Sequence, residues 1–329
     1  MTPDPLAQPS LNEAADEPLQ SSLLALTIAA DPTTGYAAIQ NNIPVLRSIT
    51  IVNAGASALL DVELTVDCTP AFASGERIRF ERIEAGETRT VSPVDLKPDH
   101  HYLASLDEAE QASLQATARV KGQVAGHATR PIDVLAYDQW PGMRALPELL
   151  AAFCMPNSPV VDRLLAKASS LLRDATPGLA LSGYQTRNRE HVWKQVSGIY
   201  STIAGEELHY ANPPASFGSN GQKIRTPERI LDGRIATCLD LAMLFASCLE
   251  QSGLHPVVLF REGHAWVGVW LVEQSFPTGC IDDLQAVRKR VASGELMVFE
   301  TTMVTQSQHV SLRSACASGD AHLGDEAGF

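Results

Sequence analysis

Thr237-Cys-Leu-Asp-Leu-Ala-Met-Leu-Phe-Ala-Ser-Cys-Leu-Glu250, then Leu254-His-Pro-Val-Val-Leu-Phe260, then Gly263-His-Ala-Trp-Val-Gly-Val-Trp-Leu271, is the stretch on which the reading of this chain turns. The first segment is apolar nearly all round, with Leu239, Leu241, Ala242, Leu244, Phe245, Ala246 and Leu249 spread over its faces. A helix of that kind belongs in the centre of a domain. It stops at Ser252-Gly253. The next two segments are short and rich in β-branched and aromatic residues, so they read as strands over 255–260 and 264–272. A third strand is expected over 296–304, after an inserted helix that starts near Asp282-Asp283.

This order places Cys238 at the start of the helix. The positive end of the helix dipole favours a thiolate there. A His on a neighbouring strand can accept or share the thiol proton, so Cys238 and His264 form a candidate nucleophile pair. Cys248, mid-helix, reads as core. Alternation along the strand puts His264, Trp266, Gly268 and Trp270 on one face.

Outward from this stretch, the chain changes character twice. Residues 1–19 are rich in Pro, Asp, Glu, Ser and Gln and read as a disordered tail. Residues 20–137 carry about seven short strand patterns with intervening turns, which suggests an immunoglobulin-like β-sandwich. Leu60-Asp-Val-Glu-Leu-Thr-Val-Asp-Cys68 shows the period of two, and Asn53-Ala-Gly55 marks a turn. Beyond Trp140-Pro-Gly142 helices take over, with cap-then-Pro starts at Ser158-Pro159 and Thr226-Pro227 and a further helix over 187–204. The expected architecture is therefore α+β: a sandwich at 20–137, a mixed domain at 138–305, and a tail or continuation at 306–329.

Composition bounds the function. The chain has 329 residues, 45% hydrophobic and 19% charged, with a net charge of −13. The isoelectric point is near 5.1. A broad basic surface for nucleic acid or anionic membrane is excluded. No apolar run approaches the roughly 18 residues of a membrane helix, and no secretory signal is visible, so a cytoplasmic chain is expected. The six cysteines, at 68, 154, 238, 248, 280 and 316, show no zinc spacing and read as free thiols. No metal or organic cofactor is expected.

A buried helix opening on Cys, followed by strands of which one carries His, resembles the papain-like enzymes. Cys238-x-Asp240, Gly263-His-Ala-Trp-Val267 and the acidic Glu300-Thr301 resemble the transglutaminase-like superfamily in particular, over roughly residues 180–305. The resemblance implies that Cys238 attacks an amide or ester carbonyl of a protein or peptide. His264 shuttles the proton, and an acidic residue orients the imidazole. Glu300 is the candidate for that third place, although the family usually has Asp and Glu300 lies 36 positions after His264. Asp282 and Asp283 remain alternatives, though their place at a helix start fits a cap. Gln222 is the candidate side-chain donor to an oxyanion, or else a surface loop residue. Asp240 reads as support for the helix start, and Trp266 as a wall of the substrate groove or as core. The loop around 212–221 is expected to line that groove. No Asp-rich loop with calcium spacing appears.

A sandwich in front of such a domain is also similar to the N-terminal regions of large bacterial helicase-type proteins. That likeness implies a fused or separate helicase-type partner. It keeps open a non-catalytic recognition or regulatory module.

Overall fold

The computed structural model describes residues 23–213 and 221–324. The fold is α+β. The expected tail at 1–19, and most of the loop expected to line a groove, lie outside the described residues. The described chain divides into two compact units. One comprises 23–32, 45–99 and 112–132, and the other 33–44, 100–111 and 133–324.

The first unit is built from β1 (Leu24–Ala30), β2 (Leu46–Asn53), β3 (Leu59–Thr69), β4 (Ala73–Ile83), β5 (Thr88–Val91), β6 (Leu96–Pro98) and most of β7 (Glu110–Val120) and β8 (Gln123–Leu135). One sheet has the order β1-β2-β5, and the other contains β8-β7-β3-β4-β6. Alternation decides which residues go inside. Val62, Leu64, Val66 and Cys68 of β3 are buried together with Ile49 and Ile51 of β2. The sheets close tightly at Gly126, where a Cβ would stand 2.3 Å from the Leu24 carbonyl oxygen. Asn53 is fully buried and satisfied: Nδ2 donates to the Ser57 and Ile83 carbonyls at 2.9 and 3.1 Å, and Oδ1 accepts from Gly55 N–H at 3.0 Å.

The second unit follows the helix-rich half of the sequence. Its main elements are α1 (Pro159–Ala175), α2 (Arg189–Ala204), β9 (His209–Tyr210), α3 (Pro227–Gly233), β10 (Ile235–Ala236) and α4 (Cys238–Gln251). They continue with β11 (Pro256–Arg261), β12 (His264–Trp270), α5 (Leu284–Ala292), β13 (Leu296–Phe299) and α6 (Leu312–His322). Ser158, Asn188, Thr226, Thr237 and Asp283 cap the helices that follow them.

Every residue of α4 from Cys238 to Leu249 is buried, as its all-round apolarity requires. The helix ends where Gly253 takes a left-handed conformation (φ 75°), which lets Leu254 N–H bond to the Leu249 carbonyl at 3.0 Å. Against α4 lies an antiparallel sheet of order β11-β12-β13, with the His264 strand at its centre. Trp266, Trp270, Phe245 and Phe299 are all essentially inaccessible, and the rings of Phe245 and Phe299 meet edge to face at 5.2 Å. Each such ring contributes about 1.5–3 kcal/mol through burial alone.

Two stretches differ from the sequence expectation. The strand foreseen over 296–304 stops at Phe299, and a 3-10 turn occupies Thr301–Thr305. Glu300 caps that turn, and its carboxylate draws Thr302 N–H away from sheet pairing. The segment expected as a C-terminal tail contains α6, which lies against β13. A Cβ on Gly319 would stand 2.8 Å from Phe299 Cα, and Glu300 N–H bonds to the Ala315 carbonyl at 2.9 Å.

Candidate active site

The start of α4 is fixed by charge. Thr237 Oγ1 accepts from Asp240 N–H at 3.2 Å, while Asp240 Oδ2 accepts from Thr237 N–H at 2.8 Å. The same carboxylate, fully buried, accepts from Arg225 backbone N–H and from its guanidinium, each at 2.7 Å. Asp240 therefore does what the sequence suggested, supporting the helix start. It also ties the segment after Gln222 to that helix.

At this fixed point the Cys238 side chain meets three groups. Its thiol feels the His264 ring, the Ala265 backbone N–H and the Tyr210 hydroxyl, each of which favours the thiolate. Tyr210 arrives because β9 pairs in parallel with β10, placing it opposite Ala236, two residues before the cysteine. His264 uses Nε2 for Glu300 Oε2 at 2.6 Å, which leaves Nδ1 as its other ring nitrogen. Glu300 is 4% exposed, and its other oxygen accepts from Thr302 N–H at 2.8 Å and Thr302 Oγ1 at 2.7 Å. A second imidazole, His322 at the end of α6, donates to Oε2 at 2.8 Å.

The electrostatics follow from this geometry. Burial alone would disfavour charge on all three groups. For Glu300, the bonds from His264 and Thr302 outweigh burial and lower the carboxyl to about 2. For His264, burial is outweighed by the bonds and charges of Cys238 and Glu300, and the imidazole rises to about 9. For Cys238, burial is outweighed by His264, by Ala265 N–H and by Tyr210, and the thiol falls below its ordinary value. It is alone in this. Burial pushes Cys68, Cys154 and Cys316 up to about 11, 12 and 11, and raises Cys248 and Cys280 as well. Burial and the neighbouring thiol hold Tyr210 at about 12, so its hydroxyl stays a donor.

The other expected residues divide. Trp266 takes the core alternative of its two readings: it is fully buried and stacks parallel to the His264 ring at 6.2 Å. Gln222 pairs with Trp140 in a two-residue ladder, and Trp140 shares a core cluster with Cys238. Gln222 Oε1 is buried and, among the described residues, accepts no hydrogen bond. Asp283 caps α5 through Ala286 N–H at 3.0 Å, and His264 takes Glu300 as its carboxylate partner.

Tyr210, Thr302, Arg225 and His322 were not read from the sequence as site residues. For His322 a signal existed: Leu312, Ala315, Cys316, Gly319 and Leu323 repeat at helical spacing behind the cap Ser311. Among the described residues, His264, Glu300 and His322 form a group whose ligand atoms lie within 4.8 Å and could hold a metal ion. Hydrogen bonds already connect all three.

A cleft of about 950 Å³ runs along β11, the edge strand of the sheet, past Leu259, Phe260 and Glu262 to Gly263. Cys238 does not line it, but Gly263 immediately precedes His264. Among the described residues, no helix is long and apolar enough to cross a membrane.

No family model and no curated protein matches this chain. Among solved structures it is similar to native E. coli alpha-2-macroglobulin, with 11% identity over 73% of this chain and a TM-score of 0.22. It is also similar to a provisionally described protease from Parabacteroides distasonis, with 15% identity over 67% of this chain and a TM-score of 0.24. The chain spans 16% and 43% of the length of those two proteins. At these scores neither likeness carries an argument.

Proposed function

We propose that the protein is a thiol enzyme of the transglutaminase-like kind, acting on amide or ester carbonyls of proteins or peptides. One observation carries the reading: a buried carboxylate, Glu300, holds the His264 ring at 2.6 Å, and that ring favours the thiolate of Cys238 at the start of α4. The thiolate attacks the carbonyl carbon, and negative charge develops on the carbonyl oxygen. The Cys238 backbone N–H, at the first position of α4 and without an intrahelical partner, is one donor for that oxygen. Gln222 is proposed as the second. His264 gives its proton to the leaving amine or alcohol, and a thioester remains on Cys238. Water or an incoming amine, deprotonated by His264, then attacks the thioester. The products are an acid or a new amide, and the thiolate is restored. Glu300 stays ionised throughout and holds the imidazolium through its Nε2–H.

The cleft beside the open edge of β11 suits an extended peptide, which can pair with a strand edge. The test is acyl transfer from p-nitrophenyl acetate, read by peptide mass spectrometry. An acetyl group should collect on Cys238 in the native protein and be absent from His264→Ala. Equal acetylation of Cys238 and the exposed Cys280, or labelling indifferent to His264, would refute the reading.

A further inference from the structure

We infer that His322, on the C-terminal helix α6, is a positioning residue that fixes the Glu300 carboxylate for His264. This rests on the thiol-enzyme reading above and extends its machinery to a fourth side chain. Glu300 Oε1 is clamped twice by Thr302, through the backbone N–H and the hydroxyl. Oε2 is shared by two imidazoles, His264 at 2.6 Å and His322 at 2.8 Å. An ionised carboxylate only accepts, so both rings present Nε2–H to the same oxygen. Four donors thus surround one buried carboxylate, and neither oxygen can turn away without losing two of them.

The rings are fixed as a group. His264 lies parallel to Trp266, and His322 meets His264 edge-on and Trp266 at a tilt, each at 5.2 Å. His322 is itself anchored, because α6 approaches β13 at Gly319 too closely for a side chain, and Arg288 Nε on α5 bonds to the Leu323 carbonyl at 2.6 Å. Glu300, His264 and Arg261 of β11 are the charged or titratable groups felt by His322. Burial, Arg261 and His264 keep its imidazole below its ordinary value despite Glu300. At neutral pH it is therefore a neutral donor that orients the carboxylate without cancelling its charge.

The experiment is the pH dependence of iodoacetamide alkylation at Cys238 in the full chain, with Cys280 as reference, in the native protein, His322→Gln and His322→Leu. Gln can supply an N–H to Oε2, whereas Leu fills space without one. His322→Leu should move the acid limb of the Cys238 profile up by about one pH unit, a tenfold loss of rate below it, and His322→Gln should restore most of it. If native Cys238 reacts no faster than Cys280 at pH 6, the thiol-enzyme reading and this inference fall together. If native Cys238 is fast and the His322→Leu profile superimposes on it, the positioning role alone is overturned. Should His322→Leu not fold, His322→Ala carries the same decision.

Discussion

Replacing Glu300 by Gln removes one charge from the network while keeping the shape and an oxygen that can accept from His264. The bond it weakens is 2.6 Å long and joins side chains 16% and 6% exposed, so solvent screens it little. A hydrogen bond to a charged partner is worth about 1.5–3 kcal/mol, against about 1 for a neutral one. The difference of about 0.5–2 kcal/mol, at 1.36 kcal/mol per pKa unit, lowers the His264 imidazole by about 0.4 to 1.5 units. The imidazole stands at about 9 because Cys238 and Glu300 together overcome burial, so the substitution removes part of that rise. A less stable imidazolium stabilises the thiolate less, and the Cys238 thiol moves up in step. The rate of Cys238 alkylation at pH 6 should fall roughly twofold to thirtyfold. Peptide mass spectrometry over a pH series reads this directly, with Cys280 in the same molecule correcting for reagent and pH. A Glu300→Gln profile within about 0.3 unit of the native one would mean that the carboxylate does not set the state of the pair.

Asp240→Asn removes the charge that holds Arg225 and the backbone N–H groups of Arg225 and Thr237. It should destabilise the second unit by about 2–4 kcal/mol. Urea unfolding followed by Trp fluorescence measures this, since Trp140, Trp193, Trp266 and Trp270 all lie in that unit; a change under about 0.5 kcal/mol contradicts it. The network also predicts the pH dependence of stability. The Glu300 carboxyl is depressed in the folded state from 4.5 to about 2, so its contribution is present above 4.5 and lost as pH falls toward 2. The His264 imidazole is raised from 6.5 to about 9, so its contribution is present below 6.5 and lost as pH rises through 9. Thermal unfolding should peak between those limits, and in Glu300→Gln the acid decline should shrink; an unchanged acid limb speaks against a depressed carboxyl.

The sequence was most legible where one physical rule dominated. The all-round apolarity of 239–249 announced a central helix, and Ser158-Pro159 and Thr226-Pro227 announced helix starts, because caps and burial act locally. Cys238, His264 and Glu300 could be singled out since each sits at an element end or on a short strand. Their meeting depends on the sheet order β11-β12-β13, which no local pattern encodes. Tyr210 was illegible for the same reason: it reaches the thiol through a two-residue parallel pairing that leaves no periodicity. His322 was hidden differently. Its helix meets β13 through Ala315 and Gly319, small residues whose burial gives a weak apolar signal, and the Ser, Gly and Asp around them resemble a tail. Trp266 was open to two readings, since strand alternation places it beside His264 but cannot say whether that face is covered.

The fully enclosed helix α4 has a further consequence for how the molecule divides rigidity from access. A thiol carried on a fully buried helix sits in the region expected to open last in local fluctuations. The groups that would steer it are therefore kept in register without any contribution from a ligand. Cys238 is only 6% exposed. Its neighbour Tyr210 is carried by β9, a ladder of two residues. Opening a two-residue ladder is a small local event, whereas disturbing α4 means unfolding the unit.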